Sequence, residues 1–150
     1  MVETIEKDDI IQTVVPALLG MISTPTYADV EPDPEYVEQI LTVMVQNPYL
    51  VAIADYDEDR NVRGVMLGMV SPVWYTQSLR AVQELLYVHP EYRGAKVMLR
   101  LIRAFEAESI KRGADSIQLG CSSGEHNKGF AKLMSKLGYS TFSHTYKKEM

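Results

Sequence analysis

Apolar residues recur along this chain with two periods. From Ile10 to Ile22 they fall at Ile10, Ile11, Val14, Val15, Leu18, Leu19 and Ile22, the spacing of one helical face, and Asp8 or Asp9 stands where a cap belongs. Pro16 within that run predicts a kink or an early break, and Gly20 a stop. Residues 23–32 read as an irregular loop. Asp33-Pro34-Glu35 then supplies a cap, a first helical position and an acidic first turn. The helix it opens carries Val37, Ile40, Leu41, Met44 and Val45 on one face and ends at Pro48.

The period then shortens. Residues 2–6 read as a short first strand, Tyr49–Tyr56 as a second, and Val62–Val73 as its return partner across a turn at Asp57–Asn61. Gly64 and Gly68 predict bulges or close backbone approaches, and Pro72 ends regular pairing. Trp74 and Tyr75 fall in a loop, as half-buried packing or as the lining of a cleft, before a strand at Leu79–Val88. The helical period returns after Gly94, with Val97, Met98, Leu101, Ile102 and Phe105 on one face and Lys96, Arg100 and Arg103 on the other. Gly113 closes this helix. Ser116–Cys121 reads as a buried strand and Ser122-Ser123-Gly124 as a loop. A last helix starts at His126 or Asn127, buries Phe130, Leu133, Met134 and Leu137, and is capped by Gly138. Tyr139–Lys147 reads as the final strand. A meander followed by β-α-β-α-β predicts a mixed sheet with helices on both faces.

Composition narrows the class. A chain of 150 residues, 46% hydrophobic and 23% charged, suits one globular domain over residues 1–150. No apolar run approaches the roughly 20 residues of a membrane span, so no membrane partner is expected. The first residues lack the apolar core of a signal peptide. The single cysteine, Cys121, permits no internal disulfide and fits a reducing, cytoplasmic interior as a small apolar residue. The net charge of −5, without a Lys/Arg run, argues against nucleic acid. His89, His126 and His144 show no metal-ligand spacing, so no metal is expected.

The candidate chemistry lies in residues 84–104. An apolar strand runs through His89-Pro90 and Tyr92-Arg93-Gly94 into an amphipathic helix. Such a junction presents unpaired backbone N–H groups and the positive end of a helix dipole, both suited to an anion. Arg93, Lys96 and Arg100 add positive charge. By spacing alone, an ordinary strand-turn-helix crossover fits as well.

The same stretch resembles motif A of the GNAT superfamily, the acyl-CoA-dependent N-acyltransferases. In that pattern an acidic residue and an apolar run precede V-x-P-x-Y-R-G-x-G-V-G and a Leu-rich helix. Glu84, Val88, Pro90, Tyr92, Arg93, Gly94 and Val97 stand in register. Lys96 and Met98 stand where the loop glycine and a second Gly or Ala are expected. The resemblance covers residues 49–147 well and the first third loosely. It implies the GNAT fold, an α/β domain with a mixed six- or seven-stranded sheet and about four helices on both faces.

It also implies acetyl-CoA as cosubstrate and an amine as acceptor. Arg93, Gly94, Ala95, Lys96, Val97 and Met98 would cradle the pyrophosphate, and Asn127 would meet the CoA arm. The strand at Leu86, Tyr87 and Val88 would polarise the thioester carbonyl, and Glu84 would be the general base. The segment between the first two strands would wall the acceptor site. The family often places a Tyr, as acid for the leaving thiolate, where this chain has Met134, which cannot donate a proton. Tyr139 and Tyr146 are out of register for that role, which leaves it to water. Two functions follow: an N-acetyltransferase acting on a small molecule, peptide or protein amine, or a catalytically degenerate GNAT-fold binding or structural protein. The short C-terminus is similar to bacteriophage-encoded members, which implies the host cytoplasm or a virion. The edge of a final strand would suit a homodimer.

Overall fold

The computed structural model describes residues 1–121 and 127–150. They form two units, Met1–Gly120 and Cys121–Met150. The first holds β1 (Val2–Thr4), α1 (Ile10–Ile22), α2 (Pro34–Met44), β2 (Leu50–Tyr56), β3 (Val62–Pro72), β4 (Leu79–Val88), α3 (Ala95–Lys111) and β5 (Ser116–Gln118). The second holds α4 (Asn127–Lys136). The sheet runs β1-β2-β3-β4-β5. Its pairs are antiparallel except β4 with β5, which are parallel, so the sheet is mixed as expected.

Strand β2 is buried at all seven positions because helices cover both faces of the sheet. On one face Leu50, Ala52 and Ala54 of β2 join Val65, Leu67 and Leu85 in a core closed by Ile10, Val14 and Ala17 of α1 and Leu41 of α2. On the other, α3 packs on β2 and β3 and buries Val97, Leu101, Ile102 and Phe105. That helix lies close because the sheet is bare beneath it. A Cβ on Gly64 would stand 2.9 Å from Leu101 Cδ1, and one on Gly68 would stand 2.6 Å from Phe105 Cζ and 2.5 Å from the Val82 carbonyl. These are the close approaches expected at the two glycines. Gly68→Ala forces the backbone or α3 to shift. It is expected to cost about 1–3 kcal/mol, read as a lower denaturation midpoint in urea.

Local chemistry explains the element ends. Helix α1 runs through Pro16 without the expected break and passes Gly20. Burial of Ile10, Val14 and Ala17 on the sheet outweighs the lost backbone hydrogen bond. In α2, the Asp33 side chain accepts from the Tyr36 N–H at 3.0 Å and Pro34 is the first residue, as expected. The β2–β3 turn needs no Asn-Gly pair because the Asp57 carboxylate accepts from the Asp59 and Asn61 N–H groups at 2.9 and 2.8 Å. Helix α3 ends with Gly113 at φ +88°, where Ala114 N–H reaches the Ser109 carbonyl. Helix α4 ends in the same way, with Gly138 at φ +86° and Tyr139 N–H on the Met134 carbonyl.

Several expectations need correction. The described residues contain five strands, not six or seven, because Tyr139–Lys147 forms none. Its large apolar side chains, at 139, 142 and 146, do not share one face at a period of two, so pairing would bury only part of them. Phe142 is 70% and Tyr146 91% exposed. The edge expected to pair two copies is therefore absent as a strand. Strand β5 spans three residues, none fully buried, and Cys121 is exposed. Phe130, Leu133, Met134 and Leu137 are half-buried rather than buried. The loop at 122–124 and His126 lie outside the described residues. Trp74, 91% exposed, and Tyr75, 63% exposed, meet edge to face rather than as half-buried packing.

Candidate active site

The site is built around a defect in β4. Leu85 pairs with Leu67 and Gln83 with Gly68, so Glu84 is an extra residue without a partner across the ladder. Such a bulge re-aims side chains. In regular pleating, neighbours point to opposite faces. Here consecutive Glu84 and Leu85 line one cleft, on the side of the sheet covered by α1 and α2. Its volume is about 230 Å³. Val14 and Leu18 of α1, Val37 and Ile40 of α2, and Leu67 of β3 form most of the wall. Glu84 is exposed, and among the described residues its carboxylate has no hydrogen-bond or ion-pair partner. Its neighbours in the wall are almost all apolar.

The other edge of β4 is paired for a shorter stretch. Among the described residues, pairing with β5 covers Arg80, Ala81 and Val82. Beyond it the Gln83 side chain, not the backbone, reaches across to accept from the Gly120 N–H at 3.1 Å. His89 N–H donates to the Arg63 carbonyl on the β3 side at 2.9 Å. By the alternation of an antiparallel ladder, Tyr87 N–H points the same way, and the N–H groups of Leu86 and Val88 point away from β3.

Beyond β4 the chain leads to the start of α3. Gly94 is the cap residue, at φ +152°, a conformation that favours glycine, with no side-chain cap on the first-turn N–H groups. Arg93 and Lys96 are exposed and have no acidic partner among the described residues. Val97 is buried against the sheet and Met98 half-buried. The exposed Lys96 side chain leaves the backbone open where the family has glycine.

Two further groups hold this junction. Tyr92 donates its hydroxyl to Asp57 Oδ2 at 3.1 Å, tying the loop before α3 to the β2–β3 turn. That hydrogen bond raises the Tyr92 pKa, while hydrogen bonds led by the Asn61 side chain lower that of Asp57. Arg100 is not part of the anion site. Its Nε and Nη2 bind Asp55 Oδ2 at 2.9 and 2.5 Å. Arg63 binds Asp55 Oδ1 at 2.7 Å, and the Met1 ammonium lies 3.3 Å from the same oxygen. Asp55 is wholly buried beneath α3. Burial alone would raise its pKa, but hydrogen bonds from Arg100, Arg63 and the ammonium outweigh it and hold the carboxyl below its ordinary value. The lone charge in the apolar run of β2 was the only sequence sign of this cluster.

Of the residues singled out in the sequence, Glu84, Leu86, Tyr87, Val88, Arg93, Gly94, Ala95, Lys96, Val97 and Met98 lie on one strand-turn-helix path of the first unit. Asn127 is the first residue of α4, in the second unit.

The fold is matched by other proteins. Residues 17–139 match the sequence profile of the acetyltransferase (GNAT) family. The chain belongs to that family and has its fold. No curated protein sequence matches the chain. An aminoglycoside acetyltransferase from an uncultured soil metagenomic sample superposes with a TM-score of 0.74 at 16% identity, over 100% of this chain and 97% of its own. A Trypanosoma brucei acetyltransferase gives 0.72 at 19%, over 100% and 99%. Glucosamine-6-phosphate N-acetyltransferase from Arabidopsis thaliana gives 0.71 at 16%, over 99% and 97%. At such identities these likenesses speak for the fold alone.

Proposed function

We propose that the protein transfers an acetyl group from acetyl-CoA to a primary amine. The observation that carries this is the end of β4, where the Leu86 and Val88 N–H groups point away from β3 and the chain runs on into the uncapped start of α3. The first-turn N–H groups of α3, with Arg93 and Lys96, suit a pyrophosphate. Extended pantetheine would lie along this edge of β4 and make backbone hydrogen bonds as a further strand does. A thioester carbonyl placed against a β4 N–H would be polarised as negative charge develops on its oxygen. Glu84, across β4 in the acceptor cleft, would take a proton from the incoming ammonium. The amine nitrogen then bonds to the carbonyl carbon, the C–S bond breaks, and the thiolate leaves with the electron pair. With methionine at position 134, water carries to the thiolate the second proton that the nitrogen sheds in becoming an amide, which makes the free thiol.

Titration calorimetry with acetyl-CoA tests the first half. Micromolar affinity is expected, reduced about 100-fold in Arg93→Glu, where a phosphate partner becomes a repelling charge. Arg93 is exposed, so the variant should fold. No heat at millimolar ligand would sink the reading. A second reading, a GNAT-fold binding module without turnover, rests on Lys96, Met98 and Met134. Acetyl-CoA binding without thiol release against any amine would favour it.

A further inference from the structure

The walls of the cleft say what kind of amine it takes. An acceptor rich in hydroxyls or ammonium groups needs several polar partners, because each polar group removed from water without one is costly. This cleft offers few. Its walls are Val14, Leu18, Val37, Ile40, Leu67 and Leu85, and the bulge at Glu84 places one unpaired carboxylate among them. The Tyr36 hydroxyl, on a side chain 59% exposed, lies at the rim. One negative charge in an apolar wall complements a ligand with one ammonium and an apolar body. At about 230 Å³ the space is smaller than the usual cavity for a drug-sized ligand. It suits a body the size of a phenyl ring or a branched aliphatic chain.

We infer that the acceptor is a small hydrophobic primary monoamine, its ammonium on Glu84 and its apolar body against α1 and α2. This rests on the acetyl-transfer reading for the chemistry, but not for the binding. An apolar face alone would leave the occupant open. The strand defect that sets a carboxylate into that face makes the choice, and it weighs against polyamines and amino sugars alike.

The test compares two probes with acetyl-CoA, following release of CoA thiol: 2-phenylethylamine and glucosamine. The expected kcat/KM is about 100-fold higher for 2-phenylethylamine, the discrimination that an apolar pocket gives through several buried carbons. Ile40→Asp, at a position 41% exposed and so tolerant of substitution, should raise KM for 2-phenylethylamine about tenfold with a smaller change in kcat. Equal or better use of glucosamine would overturn the inferred class and leave acetyl transfer standing. If neither amine is acetylated, calorimetry with 2-phenylethylamine alone decides the inference. Binding weakened by Ile40→Asp supports it, and no binding overturns it.

Discussion

Asp55→Ala is expected to cost the fold about 3 kcal/mol, the lower end of the range for breaking a buried ion pair by removing one partner. Asp55 is wholly buried and carries hydrogen bonds from Arg63 and Arg100. Without it, two guanidinium groups face each other between β2, β3 and α3. The lower end applies because both arginines reach solvent, Arg63 at 24% and Arg100 at 40% side-chain exposure, and can turn towards water. Against a typical domain stability of about 5–15 kcal/mol, such a loss is large. The pH dependence carries a sign. The folded-state pKa of Asp55 lies below the ordinary aspartate value of 3.8. Its contribution is therefore fully present above that ordinary value and is lost as pH falls through the depressed one. Urea denaturation at about pH 7, 5 and 3 should show wild type losing stability on acidification, with Asp55→Asn losing less over the same window. Parallel losses in the two proteins would mean that the charge on Asp55 does not support the fold.

How much of this was legible in the sequence follows from which interactions are local. The strand-turn-helix path from Leu79 to Lys111 could be read because apolar period, Pro90 and Gly94 each act on their immediate neighbours. The Asp33 cap and the Gly113 and Gly138 stops are local for the same reason. Pairing is not local. The bulge at Glu84 exists only in the register between β3 and β4; Val-Gln-Glu-Leu carries no glycine of its own, and its sign in the sequence is Gly68 on the partner strand. The pairing of β4 with β5 also depends on two distant segments. Arg100 looked like a surface charge on the polar side of α3, because the helical period shows which side it occupies but not that Asp55 waits beneath it. Tyr139–Lys147 alternates enough to suggest a strand, yet its apolar side chains do not fall on one face, and the facing partner that decides pairing cannot be read from one segment.

Glu84→Gln is expected to slow acetyl transfer by about 10²–10⁴-fold while leaving acetyl-CoA affinity intact, the loss that follows when a positioned base is removed. The substitution keeps shape and removes only the ability to take a proton. Because Glu84 is exposed and without a partner among the described residues, stability should stay within about 0.5 kcal/mol of wild type. This separates a catalytic loss from a folding loss, which Asp55→Ala would confound. The pH profile then separates two roles for the carboxylate. If Glu84 takes the proton, the variant must wait for amine that is already neutral. Its kcat/KM should rise about tenfold per pH unit up to the amine's own pKa, with wild type flatter over the same range. If Glu84 only attracts the ammonium, the variant shows a raised KM with a wild-type pH profile. A variant unchanged in rate and profile would remove Glu84 from the reaction, and the bulge that aims it into the cleft would then be a feature of binding alone.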